Sequence, residues 1–449
     1  MLNILKFILI SFLYSLSIGM SAQTNVWRDI YKVKKKDTIY GIASSYGLTV
    51  EDLMNANPEF KAPDFKLKKG ISVFIPYNSK SEVINKSTNN NSTPKSLKPI
   101  KVGILLPIND LDGDGKRMVE YYRGILIGCD SLRSSGINTE IHAINVPIDA
   151  DIRLSLLDEK LKNLDIIYGP LYTKQVKSLA TFCSQNNIKL VIPFSISSKE
   201  VDVNPNIYQV YQSDDVLYTR SIAAFQERFK DCNTILIDCN DASSNKGAFT
   251  FGLRKQLGTE GINYQITNLN SPINVFNKAF VRGKRNVIVL NTGLSPELNL
   301  AFRKLNELNA FAPGYDISVF GYTEWLQYES NYRTLFHKYD VYIPSTFYYY
   351  KGLSRVISFE QNYNKWFGVP LQDKYIPRFA ITGFDHAMFF IKGIHEKGKD
   401  FNGMSNESDY NPIQTPLRFM KASVNGGMQN NIFQLVHYRT DGIIETVKY

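Results

Sequence analysis

Asp110, Asp112 and Asp114, each two residues apart and followed by Gly115, place carboxylates at the spacing that opens a calcium-binding loop. Such a loop needs a bidentate Glu at its twelfth position. Here that position is Tyr121, Glu120 falls one residue early, and an apolar strand pattern rather than a helix precedes the loop. An Asx-rich turn closing a strand accounts for the same residues. His386 and His395 lie nine residues apart, on opposite faces of a helix, and no His-Glu-x-x-His or other paired metal-ligand spacing occurs. No Gly-x-Ser-x-Gly surrounds a serine, and Cys129 and Cys183 sit among apolar helical neighbours rather than beside a base. The expectation is a protein with no catalytic residues, no metal and no cofactor, that is, not an enzyme.

The other two thiols, Cys232 and Cys239, flank a strand pattern. Extended, that strand holds them about 23 Å apart, beyond disulfide reach. Buried free thiols are expected, with a Cys129–Cys183 bridge left open.

The elements that would position any site can be read from the apolar pattern. Lys6 is the only charge in the first 27 residues, residues 7–18 form a mostly apolar run, and Gly19, Ser21 and Ala22 follow. That order is a signal peptide, cleaved near residue 22, and the run is too short for a membrane span, which needs about 20 residues. An exported chain with no span after signal removal is expected. Residues 78–99 are polar and aperiodic and read as a disordered linker. The net charge of +10 concentrates before it, since residues 23–99 carry +6 and residues 100–449 only +3. A basic N-terminal module suits an anionic polymer, and export excludes nucleic acid as a partner. From residue 100, short apolar runs alternate with amphipathic helical stretches, the pattern of parallel sheets covered by helices. About 350 residues of it exceed one sheet domain, so two α/β lobes are expected.

Residues 31–76 make sense alone as strand, helix, helix, strand. Thr38 or Asp37 caps a helix whose Ile39, Ile42, Ala43 and Tyr46 share one face; Gly47 ends it; Thr49 caps a second helix that Asn57-Pro58 stops. Tyr31, Val33, Asp37-Thr38, Gly47, Asn57-Pro58, Gly70 and Ile75-Pro76 resemble the LysM peptidoglycan-binding family in order and along its whole length. Lys36 stands where the family usually has Gly. The resemblance implies contacts to an N-acetylglucosamine-containing glycan at Asp37, Thr38, Ile39, Tyr40, Asn57, Pro58 and Glu59.

The remainder carries a second series of landmarks: Lys-Val-Gly-Ile-Leu-Leu-Pro at 101–107, Gly169-Pro170 after a strand, Leu-Val-Ile-Pro-Phe-Ser at 190–195, Phe320-Gly321-Tyr322, and Gly-Phe-Asp-His-Ala at 383–387. Their order resembles type I periplasmic binding proteins over nearly all of residues 101–449. The fold class expected is therefore α/β: a small βααβ LysM module before a two-lobed domain with parallel sheets. Lobe 1 would take residues 100–213 and 347–416, lobe 2 residues 214–346 and 417–449, with chain crossings near 212–215, near 345–350 and after Pro416. Parallel sheets place ligands at strand C-termini. By that position the cleft candidates are Tyr172, Thr173, Ser195 and Ser197 in one lobe and Asn240, Thr292 and Glu324 in the other, with Pro107 and Asp238 nearby. The family's amino-acid binders carry a Tyr in the second-lobe turn. It is missing from residues 241–247, which speaks against a plain amino-acid ligand. Tyr348, Tyr349 and Tyr350 lie near a crossing, where packing is the common use of such a run.

Together these features point to an exported protein of the periplasm or cell wall. It would hold peptidoglycan by LysM while the two-lobed domain binds a ligand or a partner, such as a cell-wall synthesis or hydrolysis enzyme. A periplasmic solute receptor for a transporter or sensor, taking an amino acid, peptide or muropeptide, is the alternative.

Overall fold

The computed structural model describes residues 27–35, 37–46, 48, 50–57, 60, 67–76, 98–108, 113–194, 198–404 and 410–449. The signal peptide, most of the linker, Asp110, Asp112, Gly47, Thr49, Pro58, Glu59, Ser195 and Ser197 lie outside them.

The N-terminal module is β1 (Trp27–Lys32), α1 (Ile39–Ser45), α2 (Val50–Ala56) and β2 (Ser72–Pro76). The strands pair antiparallel, with Ile30 opposite Phe74 and Tyr31 opposite Val73. Because side chains alternate across a strand, the sheet sorts them by face. Tyr31, Val73 and Ile75 join Ile42, Ala43, Tyr46 and Leu53 in the module's own core, while Ile30 and Phe74 point the other way. Thr38 Oγ1 accepts the Gly41 N–H at 2.9 Å, which caps α1 as expected.

Two seven-stranded sheets follow. Lobe 1 is built from β3 (Ile100–Leu106), α3 (Gly113–Ser134), β4 (Thr139–Asn145), β5 (Ile166–Tyr168), α4 (Thr173–Asn186), β6 (Lys189–Ile192) and β7 (Ile207–Gln209). The chain crosses and α5 (Asp214–Phe229) opens lobe 2, its first turn capped by Ser213 Oγ, which accepts the Val216 N–H. Lobe 2 continues with β8 (Asn233–Asp238), α6 (Gly247–Thr259), β9 (Tyr264–Asn268), β10 (Asn286–Leu290), α7 (Ser295–Phe311), β11 (Ile317–Phe320), α8 (Glu329–Lys338) and β12 (Val341–Ser345). A second crossing returns it to lobe 1 as α9 (Ser354–Phe367) and α10 (Phe379–Lys397). One-turn helices are left unlabelled. The core strands are parallel and buried on both faces, so their apolar side chains do not alternate with polar ones.

The last crossing falls later than the sequence suggested. β13 (Phe419–Lys421) and β14 (Met428–Asn430) belong to lobe 1, where β14 runs parallel to β7. The chain leaves only after Asn430, to form β15 (Gln434–Tyr438) and β16 (Ile444–Lys448) antiparallel to β12. Two three-residue strands at a sheet margin leave almost no periodic signal, so the sequence pattern does not show that residues 419–430 belong to lobe 1 rather than to lobe 2.

Helices α3 and α10 cross at close range. A Cβ on Gly124 would sit 1.8 Å from the Ala380 carbonyl oxygen, and one on Gly383 would sit 2.0 Å from that of Tyr121. Only glycine allows backbones so near, and the approach brings Tyr121 onto His386. All four cysteines are free thiols.

Candidate functional site

The LysM glycan positions divide once their partners are known. Asp37 Oδ2 accepts from the Tyr31 hydroxyl at 2.8 Å and the Lys34 N–H at 2.6 Å. Burial, with the Asp37 bond and charge adding to it, pushes the Tyr31 phenol up to about 12. Asn57 is fully buried; its amide donates to the carbonyls of Leu53 (2.8 Å) and Phe74 (2.7 Å) and its oxygen accepts the Phe74 N–H (2.7 Å). Every Asn57 side-chain atom that could meet a sugar is thus already engaged in tying α2 to β2. Asp37 is likewise occupied within its own loop. Ile39 packs against the module core, whereas Tyr40 is 72% exposed and Thr38 is exposed beside it. The solvent-facing part of the expected glycan surface, among the described residues, is Thr38 and Tyr40.

Between the lobes lies a cavity of about 320 Å³. Lobe 1 supplies Pro193 and Phe194 beyond the C-terminal end of β6, and Phe379, Thr382 and His386 from α10. Tyr218 of α5, Lys246 and Phe249 before and within α6, and Tyr322 and Glu324 beyond β11 face them from lobe 2. Three chain crossings line the middle, through Tyr211 and Gln212, through Thr346 and Phe347, and through Asn430. The position follows from the topology, since the space opens past the C-termini of parallel strands of both sheets.

Its charge is centred on Lys246. The Lys246 ammonium pairs with Glu324, donates to the Tyr218 hydroxyl at 3.1 Å, and lies 5.0 Å from the Tyr322 ring centroid. Burial works against the charge, but the bonds to Glu324 and Tyr218 outweigh it and hold the Lys246 pKa above its ordinary value. The lobe 1 side is uncharged. Complete burial drives the His386 pKa down to about 3, so the ring is neutral at pH 7. His386 Nδ1 lies 2.8 Å from the Tyr121 hydroxyl, while its Nε2 has no partner among the described residues. Thr415 Oγ1 and Gln212 Oε1, also on cavity-lining residues, are buried and unpartnered in the same way. These three groups are available to hydrogen-bond a polar ligand or water in the cavity.

Of the described cleft candidates, Glu324 lines this cavity and the others do not. Tyr172 donates to Asp114 at 3.1 Å, and Thr173 starts α4. Asn240 bonds Asn268 in an exposed left-handed turn, and buried Thr292 donates to Asp241 at 2.7 Å. These four follow strands of the two sheets, but their side chains are spent on turn contacts or lie outside the cavity lining. Pro107 and Asp238 do not line it either, and Asp238 accepts from the Asn291 amide at 2.8 Å. Tyr348 packs in the lobe 2 core and Tyr349 donates to Glu360, so the tyrosine run is structural. Lys246, Tyr218, Gln212 and His386 line the cavity without a sequence signal that points to it: Lys246 lies in the polar turn 241–247, and His386 shows no metal-ligand spacing.

A βααβ unit, followed by two parallel-dominated sheets that exchange the chain three times around a cleft, defines a module-bearing, two-lobed α/β architecture. In particular, residues 31–76 match the LysM domain family, and the large domain has the type I periplasmic-binding-protein fold. The branched-chain amino acid ABC transporter structure from Rhodospirillum rubrum aligns with a TM-score of 0.54 at 13% identity, covering 78% of this chain and 100% of that one. An ABC transporter substrate-binding protein from Desulfitobacterium hafniense aligns at 0.45 and 13% identity, over 78% and 100% of the two chains. The C-domain of LpoA from Haemophilus influenzae, a regulator of PBP1A, aligns at 0.47 and 13% identity, over 77% and 99%. No curated protein matches the chain. Among the described residues no helix is long and apolar enough to cross a membrane.

Proposed function

We propose that this chain is an exported, non-enzymatic cell-wall protein that holds peptidoglycan through its LysM domain and binds a ligand or partner through its two-lobed domain. The observation that carries the proposal is the covalent union of a LysM domain with an interlobe cavity. A receptor that only delivers solute to a transporter has no need of wall attachment. The second reading, a periplasmic solute receptor, is favoured by the cavity itself, where buried His386 Nε2, Thr415 Oγ1 and Gln212 Oε1 have no partner among the described residues.

The test is co-sedimentation of the mature chain with purified sacculi. Retention is expected, and Tyr40→Ala should lower it several-fold without changing the melting temperature. A wild-type chain that stays in the supernatant overturns the wall-binding reading. Thermal-shift screening against amino acids and muropeptides separates the two readings of the cleft. Release of soluble muropeptides by the purified protein would overturn the non-enzymatic one.

A further inference from the structure

The outward face of the module's sheet is covered. Ile30 and Phe74, which alternation turns away from the module core, pack on the core of lobe 1, and β1 lies against α3 and β4. Beside this apolar contact, Asp29 of β1 is 1% exposed. Its carboxylate accepts from Tyr46 of its own module at 3.0 Å and from Arg123 Nε of α3 at 3.1 Å. Arg123 in turn reaches the Tyr363 hydroxyl of α9 at 3.2 Å and Glu120 at 3.4 Å, and Tyr363 donates to Glu120. The Arg123 guanidinium also lies 5.0 Å from the Phe367 ring centroid. Five polar side chains from the module, α3 and α9 thus satisfy one another out of water. A buried carboxylate persists only where its charge is matched, and here the matching cation belongs to the other domain.

We propose that the LysM module is latched onto lobe 1 through Asp29, Tyr46, Arg123, Glu120 and Tyr363, so that wall attachment fixes the orientation of lobe 1 and leaves lobe 2 as the body that moves. The second half rests on the wall-binding reading above. Tyr40 and Thr38 remain exposed in the latched arrangement, so glycan contact and latching are compatible.

Small-angle scattering of the intact mature chain tests the latch without any glycan. The wild type should give a single compact profile. Arg123→Ala should raise the maximum dimension by up to about 25 Å, the span of the released linker. Because Arg123→Ala strips partners from Glu120 and Tyr363 and could unfold lobe 1, Ile30→Asp provides a second release from the module side. Circular dichroism must show both variants to be folded. A wild-type profile that already requires a detached module overturns the latch, as does a folded pair of variants with the wild-type dimension. Sacculus sedimentation of the same proteins is read separately. If none sediments, the wall-binding reading fails while the latch stands.

Discussion

Replacing Asn57 with Ala removes a side chain that stitches α2 to β2. Three hydrogen bonds go, at 2.8, 2.7 and 2.7 Å, all from a residue with no exposed surface. At about 1 kcal/mol net for each bond the loss is about 3 kcal/mol, before any penalty for the Phe74 N–H left without its acceptor. A domain of this size draws only about 3–5 kcal/mol from its core, so the loss approaches the module's whole intrinsic stability. Native-state hydrogen exchange of the mature chain reads the effect at the β2 amides. Where exchange proceeds through opening of the module, 3 kcal/mol corresponds to about 150-fold faster exchange. Sacculus binding should fall in parallel, through unfolding of the module. If Asn57→Ala keeps β2 protection within threefold of the wild type yet loses sacculus binding, the reasoning is wrong and Asn57 is a glycan contact.

Gly124→Ala should cost about 3 kcal/mol or more, because its Cβ would press on the Ala380 carbonyl and force α3 and α10 apart; a urea midpoint compared with Gly258→Ala, which has open space, checks it. The buried neutral His386 titrates near 3 when folded and near 6.5 when unfolded, so the unfolded chain binds the extra proton between those values and stability falls as pH drops through that window. This group should cost about 2 kcal/mol between pH 7 and 5, and His386→Gln should flatten that part of the stability–pH curve by close to one proton. Glu324→Gln leaves buried Lys246 without its anion and should cost about 1–2 kcal/mol, discounted because the Glu324 side chain is 40% exposed. Adding Lys246→Met should recover part of that loss in a double-mutant cycle by urea unfolding, and no recovery would show the pair to be uncoupled.

Much of the architecture was legible because burial on both faces writes long apolar runs. β3 at Ile100–Leu106 and β10 at Asn286–Leu290 could hardly be missed. β9, Tyr-Gln-Ile-Thr-Asn, escaped because an exposed edge strand tolerates polar residues, and β13 and β14 escaped through brevity. The cleft's location followed from topology, but its chemistry did not. Tyr172 and Thr292 follow strands as a ligand contact would, yet each spends its hydroxyl on a nearby Asp, and only coordinates reveal that. His386 looked unremarkable in sequence because its importance comes from α3 and α10 touching through glycines more than 250 residues apart. Ile30 and Phe74 did carry a signal. Both are large apolar residues on the face of a small sheet turned from its own core, and such a face calls for a covering surface.

The placement of β13–β16 bears on how the chain is assembled in time. Synthesis delivers lobe 1 helices and strands first, but its sheet receives β13 and β14 only at residues 419–430, and lobe 2 receives β15 and β16 only at residues 434–448. Until then β7 and β12 each present an unpaired edge, and neither lobe can close. Both lobes are therefore finished by the same thirty-residue stretch. From residue 345 to residue 418 the nascent chain carries two open sheets, the state in which chaperones and proteases find their targets. A truncation or frameshift between residues 418 and 428 would then be expected to disable both lobes together, whereas one past residue 430 would spare the lobe 1 sheet and disable lobe 2 alone.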